Sequence, residues 1–307
     1  MPYDNFSIVY MGTPRFAVPP LHALVSAGFN VKAVVTIPDK PSGRGRKINP
    51  SEVKHAAISL EIPVLQPNNL KDEGFLKELD AFKADLFVVV AFRMLPKKVW
   101  EKPRLGTFNL HGSLLPRLRG AAPIHWAVIN GHKETGLTTF LIDEQIDTGK
   151  ILLQEKLTIQ PQWTTGELHD ALLPMGAQLV LDTAKGLADG SLSSRKQNNE
   201  DATHAPKLTK ENTRLDFRLS PAALVQLIKG LNPSPAAYYG KIKFLEASLC
   251  DEQNPSVDPM LRVKNRRLFL DYVLGSIEIK RIKPAGKRSM SSTDYINGLN
   301  SSEILLK

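Results

Sequence analysis

DLFVVVA, at residues 85–91, is almost wholly apolar, yet it is far too short to span a bilayer, which takes about 20 residues. A run of this kind is typical of a strand that is covered on both faces of a parallel sheet. Four similar runs are FSIVYMG (6–12), VKAVVTI (31–37), GTFNLHG (106–112) and GLTTFLI (136–142). Stretches with helical spacing alternate with them, at 16–28, 51–62, 73–84 and 121–131. The alternation predicts an α/β fold with a doubly wound, mostly parallel, Rossmann-like sheet.

The character of the sequence changes near residue 190. GSLSSRKQNNEDATHAPKL, at 190–208, is polar and long for a connection inside a compact domain, so we interpret it as a linker. Beyond a helical stretch that starts near Ser220, short strand-like runs follow without helices between them, at 241–249, 260–270 and 275–283. Such runs predict a small β-barrel. The predicted division is therefore a first domain at 1–189, a linker at 190–208 and a second domain at 209–307.

Charge is distributed unevenly along the 307 residues. Lysine and arginine number 40 against 31 acidic residues, a net charge of +9. Residues 206–307 hold 17 basic and 10 acidic side chains (+7), whereas residues 1–205 hold 23 and 21 (+2). The excess in the final third favours a polyanionic partner for that part. The plainer interpretation, that the charge serves solubility, stays open.

The single cysteine and the first residues of the chain indicate the cellular compartment. Cys250 is the only cysteine, so the chain has no internal disulfide and no cysteine cluster for zinc. A reducing, cytoplasmic setting is the expectation. The opening MPYDNF carries an acid where a signal peptide is basic, and no apolar run is long enough for a membrane span. We therefore expect no membrane association.

Polar side chains gather at the ends of two predicted strands. Asn109 and His111 end one strand and, being two residues apart, share a face. A turn rich in glycine and proline follows, and the next strand leads to Asp143, Glu144 and Asp147. Ligands bind at the carboxyl ends of strands in open α/β sheets. Each residue alone is explained as well by an ordinary turn or surface group, but together they predict a site.

The segment HGSLLPRLRGAAP at 111–123, with Asn109 before its histidine and Asp147-Thr148-Gly149 downstream, resembles the folate-dependent formyltransferases. Within them it most resembles the members that act on methionyl-tRNA. The resemblance covers nearly the whole chain, in MGTPRFA (11–17), PDKPSGRGRKINPSEVK (38–54), ETGLTTFLIDEQIDTGKI (134–151), THAPKLTKENTRLDF (203–217), LNPSPAAY (231–238) and KPAGKRSMS (283–291). It implies a formyltransferase domain followed by an OB-like barrel that binds tRNA.

The resemblance also implies a mechanism that rests on three residues. Asn109 and His111 would act on the formyl carbonyl of 10-formyltetrahydrofolate, and Asp147 would manage the protons. The amino group of initiator methionyl-tRNA would attack the formyl carbon, and donors aimed at the developing oxyanion would lower the barrier. The mechanism needs no metal and no covalent intermediate.

The folate is expected in a slot between the strand end at 88–95 and the loop before Asp147. The residues assigned to it are Phe92, Leu95, Ser113, Leu114, Leu115 and Pro116. The chain departs from the family here, with Phe92-Arg93 where Tyr-Gly is common and Gln145 where glycine is expected. Ser234 likewise stands where the family has tryptophan.

A basic loop, DKPSGRGRK at 39–47, carries the side chains assigned to tRNA, which are those of Lys40, Arg44, Arg46 and Lys47. Its glycines and its lack of an apolar anchor predict an arm that contacts phosphates. An ordinary solvated loop has the same composition, and the resemblance is what favours the arm. No stable protein partner is expected.

Three other functions share parts of this pattern. Enzymes that formylate an amino sugar nucleotide or glycinamide ribonucleotide would use the same Asn, His and Asp, but need neither a basic arm nor a basic barrel. A folate hydrolase would need no acceptor domain. A nucleic-acid-binding module with an inactive α/β domain is disfavoured because Asn109, His111 and Asp147 are all present.

Overall fold

The computed structural model describes residues 3–42, 47–299 and 301–306. Through the first 190 residues the elements are β1 (Ser7–Gly12), α1 (Val18–Ser26), β2 (Asn30–Val35), β3 (Lys40–Ser42), β4 (Lys47–Asn49), α2 (Glu52–Ser59), β5 (Val64–Leu65), α3 (Glu73–Ala81), β6 (Leu86–Val90), α4 (Lys97–Trp100), β7 (Thr107–His111), β8 (Arg119–Gly120), α5 (Pro123–Ile129), β9 (Glu134–Leu141), β10 (Ile151–Thr158) and α6 (Thr165–Ala188).

The remaining elements are β11 (His204–Ala205), α7 (Lys210–Thr213), α8 (Pro221–Gly230), β12 (Ala237–Tyr239), β13 (Ile242–Leu249), β14 (Met260–Lys264), β15 (Arg267–Tyr272), β16 (Gly275–Pro284), β17 (Met290–Ser291), α9 (Ser292–Ile296) and β18 (Glu303–Leu305). Short 3-10 turns lie at Arg15–Ala17 and Asn199–Asp201.

The main sheet has seven strands in the order β10-β9-β7-β6-β1-β2-β5. The pairs β1–β2, β1–β6, β2–β5 and β6–β7 are parallel, and β9 runs antiparallel to β7. Helices separate the parallel strands along the chain, as the alternating pattern predicts. The predicted α/β fold with a mostly parallel sheet is confirmed.

The central strands are buried on both faces. In β1, Val9 and Met11 belong to an apolar cluster that also holds Phe75 of α3, while the intervening Ile8 and Tyr10 are fully buried as well. Because successive side chains of a strand point to opposite faces, both faces are covered. This coverage is why DLFVVVA is continuously apolar rather than alternating.

Helices α2 and α3 begin at side-chain caps that are visible in the sequence. Ser51 accepts a hydrogen bond from the backbone N–H of Lys54 at the start of α2. Asp72 does the same for Phe75 at the start of α3, with a distance of 2.9 Å. Such caps satisfy N–H groups that have no partner inside the helix.

The second sheet is antiparallel, in the order β12-β13-β16-β15-β14-β18, with β17 paired to β16. It packs around its own core, to which α8 contributes Leu224, Leu227 and Ile228. The prediction of a small β domain after the α/β domain is confirmed.

The chain divides into two compact units. The first comprises Met1–Gly120, Gly136–Leu157 and Ala171–His204. The second comprises Ala121–Thr135, Thr158–Asp170 and Ala205–Lys307, so it takes in α5 as well as the second sheet. The division at 189 and 209 stays a prediction about domain boundaries.

Candidate active site

The candidate site lies at the carboxyl end of β7. Asn109 pairs in register with Phe140 of β9, and His111 pairs with Thr138, so the two polar side chains share a face of the sheet. The His111 side chain is 6% exposed, and its ring meets that of Phe140 edge-on with a centroid distance of 6.3 Å. Asn109 is half-buried, and its amide makes no hydrogen bond to any residue that the structure describes.

The turn after β7 is held by side chains of β9 and β10. Thr138 donates to the backbone carbonyl of Ser113 at 2.6 Å and accepts from the backbone N–H of Leu115 at 3.0 Å. Gln154 donates to the Leu115 carbonyl at 2.8 Å. Ser113 itself donates to the carbonyl of Arg117 at 2.6 Å. The turn is therefore rigid, and it fixes the backbone that leads away from His111.

The orientation of the His111 ring follows from its hydrogen bonds. Its Nε2 lies 2.9 Å from the carbonyl oxygen of Leu118. A carbonyl only accepts, so Nε2 carries the proton and donates. Leu118 has φ 58°, a left-handed conformation that is uncommon outside glycine. The other ring nitrogen, Nδ1, is left to face Asp147, whose Oδ2 lies 3.7 Å away.

Both the side chain and the backbone of Asp147 are constrained. Its Oδ2 accepts from the backbone N–H of Gly120 at 2.8 Å, and its side chain is 13% exposed. Its own backbone is left-handed, with φ 56°. Gly149 is needed close by, because a Cβ there would lie 1.6 Å from the carbonyl oxygen of Leu141. The structure thus brings His111 and Asp147 together, with Asn109 on the same strand face as His111.

An ion pair links the loop before Asp147 to the start of α4, just after the segment at 88–95. Lys97, at the start of α4, forms an ion pair with Glu144 of the loop before Asp147, with a distance of 2.7 Å. The pairing raises the pKa of Lys97 and lowers the pKa of Glu144. Beside this loop is a cleft of 350 Å³, lined by Asp143, Glu144, Gln145, Thr148, Lys196, Gln197 and Asn199.

The side chains assigned to folate do not all face open space. Leu95 belongs to the core cluster beneath the sheet, and Leu115 packs with Phe140 and Ile151 in another. Ser113 is buried, whereas Leu114, Pro116 and Phe92 are half-buried. Contacts to a cofactor through Leu95 or Leu115 would therefore be made by backbone, while Leu114, Pro116 and Phe92 retain side-chain surface. These assignments stay predictions.

Arg93 stands where glycine is common in the family, and its guanidinium is held by hydrogen bonds. Nη1 donates to the carbonyl of Asn68 at 3.1 Å, and Nη2 donates to the carbonyl of Pro67. The guanidinium carbon lies 5.5 Å from the centre of the Phe92 ring. Burial lowers the pKa of Arg93, and its Nε is buried without a partner among the described residues. At the second departure, Gln145 is exposed and its backbone N–H donates to Asp143.

The basic arm can be followed only in part. Arg44 and Arg46 lie outside the described residues, as do the side chains of Lys40 and Lys47. The backbone at its base forms the short antiparallel pair β3–β4. The assignment of these four residues to tRNA stays a prediction.

Two buried polar residues near the site are not predicted by any pattern in the sequence. Arg119 is 8% exposed and Gln197 is 6% exposed, and they are hydrogen-bonded to each other. Gln197 lies in the segment that the sequence predicts as a linker. Arg119 stands inside HGSLLPRLRGAAP, which could have pointed to it; nothing local distinguishes Gln197.

Comparison with known proteins identifies the family. The profile described as formyl transferase matches residues 5–183, and that described as formyl transferase, C-terminal domain, matches residues 207–300. Methionyl-tRNA formyltransferase of Flavobacterium johnsoniae is 43% identical over 309 residues, covering 98% of each chain. That of Parabacteroides distasonis is 45% identical over 314 residues, covering 97% of each.

The chain belongs to the methionyl-tRNA formyltransferase family. The resemblance deduced from the sequence motifs is thus confirmed, and with it the prediction of an enzyme that transfers a one-carbon group.

Solved structures of similar fold are more distant. The N-formyltransferase of Helicobacter canadensis, in a complex with folinic acid and dTDP-3-aminofucose, has a TM-score of 0.67 and 21% identity, covering 89% of this chain and 98% of that one. HypX from Aquifex aeolicus, in a complex with tetrahydrofolic acid, has a TM-score of 0.64 and 15% identity, covering 94% of this chain and 46% of that one. At such identities the likeness shows the fold.

The described part of the chain offers neither a metal-ligand cluster nor a membrane-spanning helix. Across the described residues no group of three or more His, Cys, Asp or Glu side chains is placed to hold a metal ion. In the same residues no helix combines the length and the apolarity that crossing a membrane requires.

Proposed function

We propose that the chain transfers the formyl group of 10-formyltetrahydrofolate to the amino group of initiator methionyl-tRNA. Similarity over nearly the full length to methionyl-tRNA formyltransferases supports the acceptor. The chemistry is supported by the closeness of His111 and Asp147 at the end of β7. Beside them, the Asn109 amide makes no hydrogen bond to any described residue.

In the proposed reaction the amine attacks the formyl carbon, and the carbonyl electron pair moves onto oxygen. Asn109 donates its amide N–H to that oxyanion, and a protonated His111 donates from Nδ1. Nδ1 has this role because Nε2 is already bonded to the carbonyl of Leu118. Both donors sit on a rigid strand, so little reorganisation is needed as charge develops.

Asp147 accepts and returns protons in the proposed reaction. The attacking nitrogen loses one proton and the folate nitrogen gains one as the bond between it and the formyl carbon breaks. A carboxylate 3.7 Å from the imidazole is placed to accept the proton of the amine and to return one to the folate nitrogen. The Gly120 N–H keeps the carboxylate oriented toward His111.

A basic surface on the second unit supports a tRNA acceptor. Lys243 and Lys283 lie directly opposite each other on β13 and β16. Like charges in this arrangement destabilise a sheet. Lys243 also donates to the carbonyl of Pro235 at 2.9 Å. Lys241, Lys287 and Arg288 flank the pair in sequence, are exposed, and have no acidic partner among the described residues.

Other basic residues of the same sheet form ion pairs. Arg267 and Lys280 both pair with Glu278 and lower its pKa to about 2. Arg281 pairs with Glu246 at 2.9 Å. We therefore assign phosphate contacts to Lys243, Lys283 and the exposed basic residues that flank them. We propose that the arm with Lys40, Arg44, Arg46 and Lys47 contributes further phosphate contacts.

We further propose that the chain acts in the cytoplasm, where charged tRNA and reduced folates meet, and without a stable protein partner.

A formyl-transfer assay tests the proposed function. 10-Formyltetrahydrofolate is offered with initiator methionyl-tRNA, elongator methionyl-tRNA, an amino sugar nucleotide and glycinamide ribonucleotide in parallel. We expect turnover with the initiator tRNA to exceed that with each other acceptor by at least tenfold in kcat/KM. Preference for a small amine would overturn the proposal.

A further inference from the structure

Arg119 is a buried cation whose described partners are all neutral. Its Nε and Nη2 both donate to Oε1 of Gln197, at 3.1 and 2.7 Å, and Nη2 also donates to Oδ1 of Asn199 at 2.9 Å. The described residues place no carboxylate within salt-bridge distance of it. Burying a charge is costly unless it is paired or well hydrogen-bonded. A fold that needed only stability would fill this position with an apolar side chain.

The guanidinium fixes which way the Gln197 amide points. Oε1 must face Arg119, because an NH₂ group there would oppose donor to donor. Nε2 is therefore directed to the other side, where it donates to the carbonyl oxygens of Asp147 at 2.9 Å and Gly149 at 2.8 Å. The Arg119 side chain thus determines a contact with the backbone of the Asp147 loop, which it does not touch itself.

That backbone needs support. Asp147 is left-handed at φ 56°, which costs a non-glycine residue about 1 kcal/mol or more. The residue after Arg119, Gly120, binds the Asp147 carboxylate through its N–H. The N–H of Gly120 therefore holds the side chain of Asp147, and Gln197 holds its main-chain carbonyl.

We propose that Arg119 and Gln197 are positioning residues that set the distance between Asp147 Oδ2 and His111 Nδ1. The proposal rests on the proposed function, in which Asp147 manages the protons. The present separation of 3.7 Å leaves room for a small rotation either to close a direct contact or to break it. A displacement of about 1 Å in a catalytic group can cost about 100-fold in rate.

Two substitutions at Gln197 separate positioning from support of the fold. Gln197→Leu removes both hydrogen bonds to the Asp147 loop. Gln197→Glu keeps the shape and gives Arg119 a charged partner, but turns an oxygen toward the two carbonyl oxygens that Nε2 now binds. Asn198→Ala is the matched control, since Asn198 is the neighbouring residue and its side-chain hydrogen bonds to described residues stay within its own turn.

The expected result is a fall in kcat of about 10- to 100-fold for Gln197→Leu and for Gln197→Glu, with both Michaelis constants within about twofold of wild type. Asn198→Ala should stay within twofold in kcat. The melting temperature of Gln197→Glu should exceed that of Gln197→Leu, because the carboxylate keeps a partner for the buried Arg119. Gln197→Glu with normal kcat would overturn the proposal, even if Gln197→Leu failed to fold.

A double-mutant cycle with Asp147→Asn gives the decisive reading. If Gln197 acts through Asp147, Gln197→Glu in the Asp147→Asn background should lower kcat by less than twofold more. Losses that multiply in full would show that Gln197 acts independently of Asp147, and the proposal would fall. A wild-type chain that does not formylate methionyl-tRNA would instead refute the proposed function, so the two failures are distinguishable.

Discussion

The end of β7 and the outer surface of the second sheet use polar residues in opposite ways. Around His111, polar groups are buried and few, and the Asn109 amide and Nδ1 of His111 make no hydrogen bond to the residues that the structure describes. On β13 and β16, Lys243 and Lys283 are exposed and lie directly opposite each other. Chemistry needs donors fixed to within fractions of an ångström. Binding a phosphate backbone needs charge, whose position matters less. We therefore expect the end of β7 to determine the rate of formyl transfer, and the surface of β13 and β16 to determine the affinity for tRNA.

The largest expected effect is at the chemical site. Asn109→Ala or His111→Ala should lower the rate of formyl transfer by about 100-fold or more, because each removes a donor to the oxyanion. Asp147→Ala should do likewise, with tRNA binding unchanged in a filter-binding assay. Near-normal turnover of Asp147→Ala would remove that residue from the mechanism.

A smaller effect, on affinity, is expected from Lys283→Glu. The new carboxylate faces Lys243, and opposite charges across strands stabilise a sheet by about 0.2–1 kcal/mol, so the melting temperature should rise. The Michaelis constant for tRNA should also rise, by about tenfold, with that for folate unchanged. Arg218→Ala is the control, because its guanidinium already pairs with Asp216 at 2.8 Å. Greater stability without weaker tRNA use would mean that this surface does not bind tRNA.

The arm should contribute less. Arg44→Ala should raise the Michaelis constant for initiator tRNA several-fold and flatten the log–log salt dependence by about 0.7 to 0.9 for each phosphate that is no longer neutralised. Arg44→Lys should rescue in part, since a point charge lacks the planar fork. Lys77→Ala, an exposed lysine of α3, serves as the control. Unchanged kinetics and salt dependence in Arg44→Ala would make the arm an ordinary loop.

The smallest effect is expected at Arg93. Arg93→Gly restores the residue that is common in the family, but frees the carbonyls of Pro67 and Asn68. Because Arg93 also lies over the Phe92 ring, we expect a change in the Michaelis constant for 10-formyltetrahydrofolate of less than about fivefold. The tRNA constant should not move. A larger effect on tRNA than on folate would place Arg93 outside the folate slot.

Local patterns in the sequence predict much of this architecture. The parallel sheet follows from apolar runs such as DLFVVVA, and the shared face of Asn109 and His111 follows from their spacing of two. Gln197 has no such signal, because its partners Arg119 and Asp147 lie 78 and 50 positions away. Its segment is polar, so it predicts a linker, although one of its side chains is buried against the site. Long-range hydrogen bonds leave no periodicity to detect.

The grouping of α5 with the second sheet could not be predicted for a similar reason. Residues 121–131 look like any helix of an alternating α/β chain. Their packing partners, on α8, are about 100 residues further along the chain; Ile129, for example, packs against the core that α8 helps to form. Amphipathic spacing identifies a helix and its apolar face, but not which core covers that face.

The most direct test measures two quantities on the same variants: the single-turnover rate of formyl transfer at saturating substrates, and the salt dependence of kcat/KM for initiator methionyl-tRNA. For Asn109→Ala we expect a rate lower by about 100-fold and an unchanged salt slope. For a Lys243→Ala, Lys283→Ala double variant we expect an unchanged rate and a slope flatter by about 1.4 to 1.8. A variant of either region that changed both quantities together would contradict the division of labour between the two regions.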